Sequence, residues 1–186
     1  IDRAGFVGED GETHHGLFDV AMLTTVPGVT VYSPSDTAEL SQCLEQALYK
    51  DKGIVAVRYP RGCELYRSGT KAYVSNKNRK LIFTYGRISA YAYTIHGVDI
   101  LQAIKIFPIA DEIIDICLAY DEIYAFEEGE REGGIAQKLC TALALAGFKG
   151  RFTITAVDGF VRHADVATQL HNAMLDADGM RKITGE

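Results

Sequence analysis

The stretch from Asp2 to Gly16 holds more side chains capable of chemistry than any other part of this 186-residue chain. Arg3, Glu9, Asp10, Glu12, His14 and His15 stand between Gly5, Gly8, Gly11 and Gly16. Glycines let a backbone approach a ligand closely. The polar side chains between them are of the types used for proton transfer and anion binding. A histidine titrates near neutrality and serves as acid or base, and a nearby carboxylate can fix its tautomer. The competing reading is a solvated surface loop, the ordinary fate of Gly- and His-rich segments. Arg61 is the other candidate. It follows Tyr59-Pro60 after the apolar run Ile54–Val57. It either simply ends a strand or lies at the carboxyl end of a buried strand, where open α/β sheets bind ligands.

These residues need elements to hold them. Val29 to Tyr32 is β-branched and reads as a strand. Ser33-Pro34-Ser35-Asp36 follows as a helix entry, with Glu39 at capping-box spacing from Asp36. The helix expected over Asp36–Tyr49 places Leu40, Leu44, Ala47 and Leu48 on one face. Ile54–Val57 reads as a fully apolar strand of the kind buried in a parallel sheet. From Cys63 to Lys80 the apolar periodicity fades and Ser, Gly and Asn accumulate, which marks a linker. Strands are then expected at Leu81–Tyr85, Val98–Ile106, Glu122–Phe126 and Arg151–Val157. Helices are expected at Ala110–Tyr120, Gly134–Ala146 and Asp165–Met174. Strands alternating with helices imply a doubly wound, mostly parallel sheet, an α/β fold. Only Gly86 to Gly97 connect the first two of these strands, room for one short helix.

Composition narrows the partners. The formal net charge is -6 and no Lys/Arg stripe forms, which excludes a nucleic-acid backbone or an anionic membrane as the main partner. An anionic small molecule needs only one or two well-placed arginines. Cys43, Cys63, Cys117 and Cys140 are scattered without a C-x-x-C, and Cys117 and Cys140 lie in apolar helical patterns. That usage fits a reducing, cytoplasmic compartment. No apolar run reaches membrane-spanning length. The chain opens without Met inside its Gly-rich loop, so it is expected to be part of a longer protein. His96, His163 and His171 lack metal-ligand spacing. Glu127 and Glu128 could be an acid/base pair, but their favoured role is to organise an interface or accept loop hydrogen bonds. Tyr85, Tyr91 and Tyr93 read as packing residues.

Several motifs resemble one family in order and spacing. G-E-D-G-E-T-H-H-G from Gly8 to Gly16 resembles the pyrimidine-binding-domain motif of the thiamine-diphosphate-dependent transketolase superfamily. D-R-A-G at Asp2–Gly5, F-D-V-A-M-L at Phe18–Leu23, P-S-D at Pro34–Asp36 and R-Y-P-R-G at Arg58–Gly62 resemble its deoxyxylulose-phosphate synthase branch. E-E-G at Glu127–Gly129, E-G-G at Glu132–Gly134 and D-G-F-V-R-H at Asp158–His163 extend the likeness over nearly the whole chain. Thr24 departs from it, standing where the family often has Arg.

The resemblance implies a fold and a reaction. The C-terminal part of a pyrimidine-binding (transketolase central) domain is expected over 1–66, a linker over 67–79, and a transketolase C-terminal domain over 80–186. The implied reaction condenses pyruvate with glyceraldehyde 3-phosphate to 1-deoxy-D-xylulose 5-phosphate and carbon dioxide, with thiamine diphosphate and Mg2+ as cofactors. His14 matches the motif histidine that assists proton transfer, and Asp10 its acidic neighbour. Arg3 and Arg61 match arginines that bind the aldehyde's phosphate, for which guanidinium forks are well shaped. The family's magnesium motif, G-D-G…N, and its cofactor-activating glutamate have no counterpart here. No cofactor or metal is therefore expected to bind this chain alone, and it is expected to be inactive alone. A homodimer, or association with the missing N-terminal part, is implied. Two alternatives stay open: a transketolase or 2-oxo-acid dehydrogenase β-type chain, and a non-catalytic dimerisation module of the same fold.

Overall fold

The structure, a computed structural model, describes residues 1–63 and 72–186. After a 3-10 turn at Gly8–Asp10 come α1 (Asp19–Leu23), β1 (Thr30–Tyr32), α2 (Thr37–Tyr49) and β2 (Val55–Val57). Next follow β3 (Tyr73–Val74), β4 (Lys80–Tyr85), α3 (Ser89–Ala92), β5 (Asp99–Ala103) and β6 (Lys105–Phe107). The remainder is α4 (Asp111–Leu118), β7 (Glu122–Glu130), α5 (Ile135–Leu145), β8 (Arg151–Val157), α6 (Val166–Asn172) and α7 (Ala177–Thr184).

Two sheets result. The larger has the order β3-β5-β4-β7-β8, parallel except for β3, which pairs antiparallel with β5. Period-2 alternation explains its two covered faces. Leu81, Phe83 and Tyr85 of β4 point into a core shared with Cys117 of α4 and Ile135, Leu139 and Leu143 of α5. Ile82 points the other way, into a core with Ala92 of α3, Leu170 of α6 and Met180 of α7. Helices on both faces make this a doubly wound sheet, as the strand–helix alternation predicts. The crossover from β4 to β5 is as short as its length demands: a 3-10 turn at Gly86–Ile88 runs into the four-residue α3.

The smaller sheet has the order β2-β1-β6. Its β1 and β2 are parallel, and α2 covers one face. At the start of α2 the Asp36 side chain accepts the Glu39 N–H at 2.8 Å, a cap contributing about 1 kcal/mol. The Glu39 carboxylate turns back to the Ser35 N–H at 2.8 Å and accepts from Gln102 of β5 at 2.9 Å. The capping box thereby fastens α2 to the larger sheet.

The structure corrects several sequence expectations. Val98–Ile106 is not one strand: β5 lies in the larger sheet and β6 crosses to the smaller one, antiparallel to β1. The buried face of α2 is Leu40, Cys43 and Ala47, whereas Leu48 is 71% exposed. A helix lying on only three short strands covers a narrow stripe, so the Leu44 and Leu48 side of it stays outside. Ile54 is 56% exposed because β2 is an edge strand rather than a buried central one. The Glu122 strand runs on to Glu130, carrying both glutamates inside it. Within the expected linker, Tyr73–Val74 forms β3; residues 67–71 lie outside the described residues. The helix expected to end at Met174 stops at Asn172, and α7 follows with its own cap, Asp176. Among the described residues no helix is long and apolar enough to cross a membrane.

Candidate functional site

The Gly-rich loop is closed at its neck by reciprocal hydrogen bonds. Gly5 N–H donates to Gly16 C=O at 2.8 Å, and Gly16 N–H to Gly5 C=O at 2.9 Å. Glycine is required at both positions. Gly5 has φ +77°, and a Cβ there would sit 2.2 Å from the Glu128 carboxyl carbon; at Gly16 it would sit 1.9 Å from the Arg3 carbonyl oxygen. Beside the neck, Ile1 to Ala4 runs along the continuation of β2. Tyr59 N–H donates to Ile1 C=O and Ala4 N–H to Tyr59 C=O, each at 3.0 Å. Arg3 and Arg61 therefore leave adjacent stretches of backbone.

They meet at one carboxylate. The Arg61 guanidinium pairs with Asp10 Oδ2, and Arg3 Nε stands 4.0 Å from the same oxygen. Asp10 ends the 3-10 turn inside the loop. Asp2, Arg3, Asp10, His14 and Arg61 line an open cleft of about 440 Å³. The Arg61 hydrogen bond, helped by the charges of Arg61, Arg3 and His14, holds the Asp10 carboxyl below the usual carboxylate range. His14 has its Nδ1 3.0 Å from Thr13 Oγ1. A contiguous cavity of about 320 Å³ reaches from Asp10 and Arg61 to Asp165 and Val166, so the start of α6 walls the other side. The structure thus brings all four sequence-predicted site residues together. The arrangement offers two guanidinium forks, a carboxylate and an imidazole in one solvent-accessible cleft. Among the described residues no group of three or more His, Cys, Asp or Glu is placed to hold a metal ion.

The loop is anchored from beneath. Phe6 is fully buried in the core under the larger sheet, a contribution of about 2 kcal/mol. Its N–H donates to Glu128 Oε1 at 2.8 Å, and its C=O accepts from Arg87 Nη2 at 2.8 Å. Arg87 and Glu128 are themselves a buried ion pair. Arg58 is 2% exposed and pairs with Asp19 at 2.8 Å while donating to Gly16 C=O at 3.0 Å. Glu127, also buried, accepts from the Tyr85 hydroxyl and from the Ile135 and Ala136 N–H groups at the start of α5. Burial raises its pKa, and these donors oppose the rise. Both glutamates accept hydrogen bonds, Glu128 from the loop itself.

Sequence reasoning passed over Arg58 and Arg87. The available signal was position: Arg58 directly follows β2 and Arg87 comes two residues after β4. A cation at such a place has little room to reach water and needs a buried carboxylate instead.

His15 is structural. Its Nδ1 accepts the Val7 N–H at 3.1 Å, its ring lies edge-on to Phe6, and the Val161 backbone bonds to it as well. Accepting at Nδ1 requires a neutral ring. Burial lowers its pKa from the ordinary value of 6.5, against the opposing pull of Val161, Glu12 and Glu128. The unfolded chain therefore binds more protons than the folded one just below pH 6.5, and stability falls as pH drops through that window. The melting temperature should decline between pH 7.5 and 5.5, and His15→Gln should flatten that decline. Equal slopes in the two proteins would contradict the assignment.

Comparison with known proteins places this geometry in a family. The sequence model "Transketolase, pyrimidine binding domain" matches residues 1–64. The chain is 32% identical over 204 residues to the 1-deoxy-D-xylulose-5-phosphate synthase of Thermus thermophilus, covering 98% of this chain and 32% of that protein. It is 36% identical over 197 residues to the enzyme of the same name from Chlorobium phaeovibrioides, covering 95% and 31%. The chain thus spans about a third of the length of these relatives. Among solved structures it is similar to one titled "Split gene transketolase, inactive beta4 tetramer", with TM-score 0.75 and 17% identity over 91% of this chain and 61% of that one. It is also similar to the transketolase of Campylobacter jejuni, with TM-score 0.68 and 12% identity over 100% of this chain and 31% of that one. Over nearly its whole length the chain is thus similar in sequence to part of transketolase-family proteins, residues 1–64 matching their pyrimidine-binding domain, and it shares their fold.

Proposed function

We propose that this chain is part of a thiamine-diphosphate-dependent synthase that condenses pyruvate with glyceraldehyde 3-phosphate to 1-deoxy-D-xylulose 5-phosphate and carbon dioxide. Arg3 and Arg61 hold the phosphate of the aldehyde, and His14, with Asp10 beside it, moves protons at the reacting carbons. One observation carries the reading: two guanidinium groups converge on a single anionic point, with an imidazole in the same cleft. In this proposal residues 1–66 are the end of a pyrimidine-binding domain, 67–79 a linker and 80–186 the C-terminal domain.

Thiamine diphosphate supplies the carbanion when bound, and its Mg2+ belongs with it. The G-D-G…N pattern that the resemblance implies for that metal is absent from this sequence. Both are assigned to the rest of the protein, and this chain alone is inactive. The solved relative whose title reads "inactive beta4 tetramer" supports such a division of labour, because it is a split-gene transketolase. Activity then requires association with a chain carrying the cofactor site, or a dimer of the complete protein. The four free cysteines suit a reducing cytoplasm.

The test is steady-state kinetics of Arg61→Gln in the complete enzyme. Losing charge-assisted hydrogen bonds of about 1.5–3 kcal/mol should raise KM for glyceraldehyde 3-phosphate about 10–100-fold and leave KM for pyruvate nearly unchanged. An equal rise for both substrates, or none for the aldehyde, would sink the assignment.

A further inference from the structure

The two arginines are not open to solvent anions on equal terms, because Asp10 already occupies the point where they meet. Any anion entering the cleft has to displace or outbid a carboxylate tethered within the same loop. A tethered group competes at the high effective concentration of an intramolecular partner. A free monocarboxylate gains nothing in that exchange: it swaps one carboxylate for another and meets the repulsion of Asp10 and Asp2 as well. A phosphate dianion differs. It brings two charges and three terminal oxygens, enough to engage both guanidinium forks at once while Asp10 turns aside. The loop can allow that movement, since Gly11 directly follows the turn bearing Asp10 and a Cβ there would meet nothing within 4 Å.

We infer that Asp10 is a specificity-determining residue, an internal anion that lets the Arg3–Arg61 site accept phosphate dianions and refuse monocarboxylates. The inference rests on the phosphate-site reading above and deepens it. Pyruvate is a monocarboxylate and the second substrate is a phosphate ester, so the same residue would keep one substrate out of the other's subsite.

The experiment is a set of binding titrations on this chain at pH 8, where inorganic phosphate is mainly the dianion, with acetate as the monocarboxylate. The wild-type chain should bind phosphate measurably and acetate not at all in the same range. Asp10→Asn and Asp10→Ala should each bind phosphate about 3–10-fold more tightly, and acetate binding should appear. Arg61→Gln should lose phosphate binding in either background. If Arg61→Gln binds phosphate like the wild type, the site itself is misassigned and the inference goes with it. If Arg61→Gln loses phosphate but both Asp10 variants still refuse acetate and bind phosphate no better, the phosphate site stands and the role of Asp10 is refuted.

Discussion

Arg87→Leu is expected to destabilise the fold by about 3–5 kcal/mol, lowering the melting temperature by about 10 °C. The substitution leaves the Glu128 side chain, 7% exposed, with its cationic partner gone, and it removes the donor to the Phe6 carbonyl. An uncompensated buried charge is the costly part, not the lost attraction itself. Two comparisons isolate that cause. Arg79→Leu breaks an ion pair with Asp121 whose side chains are 70% and 57% exposed, and should cost less than about 1 kcal/mol. The double variant Arg87→Leu/Glu128→Leu removes both charges and should recover much of the loss. Chemical denaturation measures all three. If Arg87→Leu matched Arg79→Leu in stability, the buried pair would not be the anchor of the loop.

The second large effect is expected at Arg58. Arg58→Leu strands Asp19, whose side chain is 13% exposed, and removes one of the two donors to the Gly16 carbonyl at the neck of the loop, leaving only the Gly5 N–H. A loss of about 3–5 kcal/mol follows from the same logic. Arg58→Lys is the informative partner. It keeps the charge but cannot donate to both Asp19 carboxylate oxygens and to the Gly16 carbonyl at once, as Nε and Nη2 of Arg58 do, so it should fall between wild type and Arg58→Leu. Hydrogen exchange gives the finer reading: the Gly5 and Gly16 amides should lose protection in both variants before those of β4 or β7. Uniform loss of protection would mean that Arg58 supports the whole fold rather than the loop.

Much of the fold was legible because local signals and global packing agree. The alternation in Leu81–Tyr85, the face formed by Ile135, Leu139 and Leu143, and the Asp36 cap are written in neighbouring residues and survive into the structure. What was lost depended on distant partners. Nothing between Val98 and Ile106 says that the run must change sheets after Ala103, because the strand that claims Lys105–Phe107 lies near the start of the chain. Leu44 and Leu48 fit a helical stripe as well as Cys43 does; only the narrowness of the three-stranded sheet decides which are covered. The candidate site divides in the same way. Arg3, Asp10, His14 and Arg61 were recognisable from motif order, and their meeting at one carboxylate needed coordinates. Arg87 and Arg58 carry no motif of their own kind of chemistry. Their importance comes from being charged where water cannot follow.

The pairing of β6 with β1 bears on how the protein is made. As the chain leaves the ribosome, Thr30–Tyr32 and Val55–Val57 emerge first, yet one edge of β1 stays unsatisfied until Lys105–Phe107 is synthesised. At usual translation speeds that wait is a few seconds, about 2–10 s. Throughout it the nascent segment that carries β1 shows a bare strand edge to every other chain nearby. Completion of the smaller sheet therefore waits on the larger one, and the open edge of β1 is a site for unwanted strand pairing until β6 arrives.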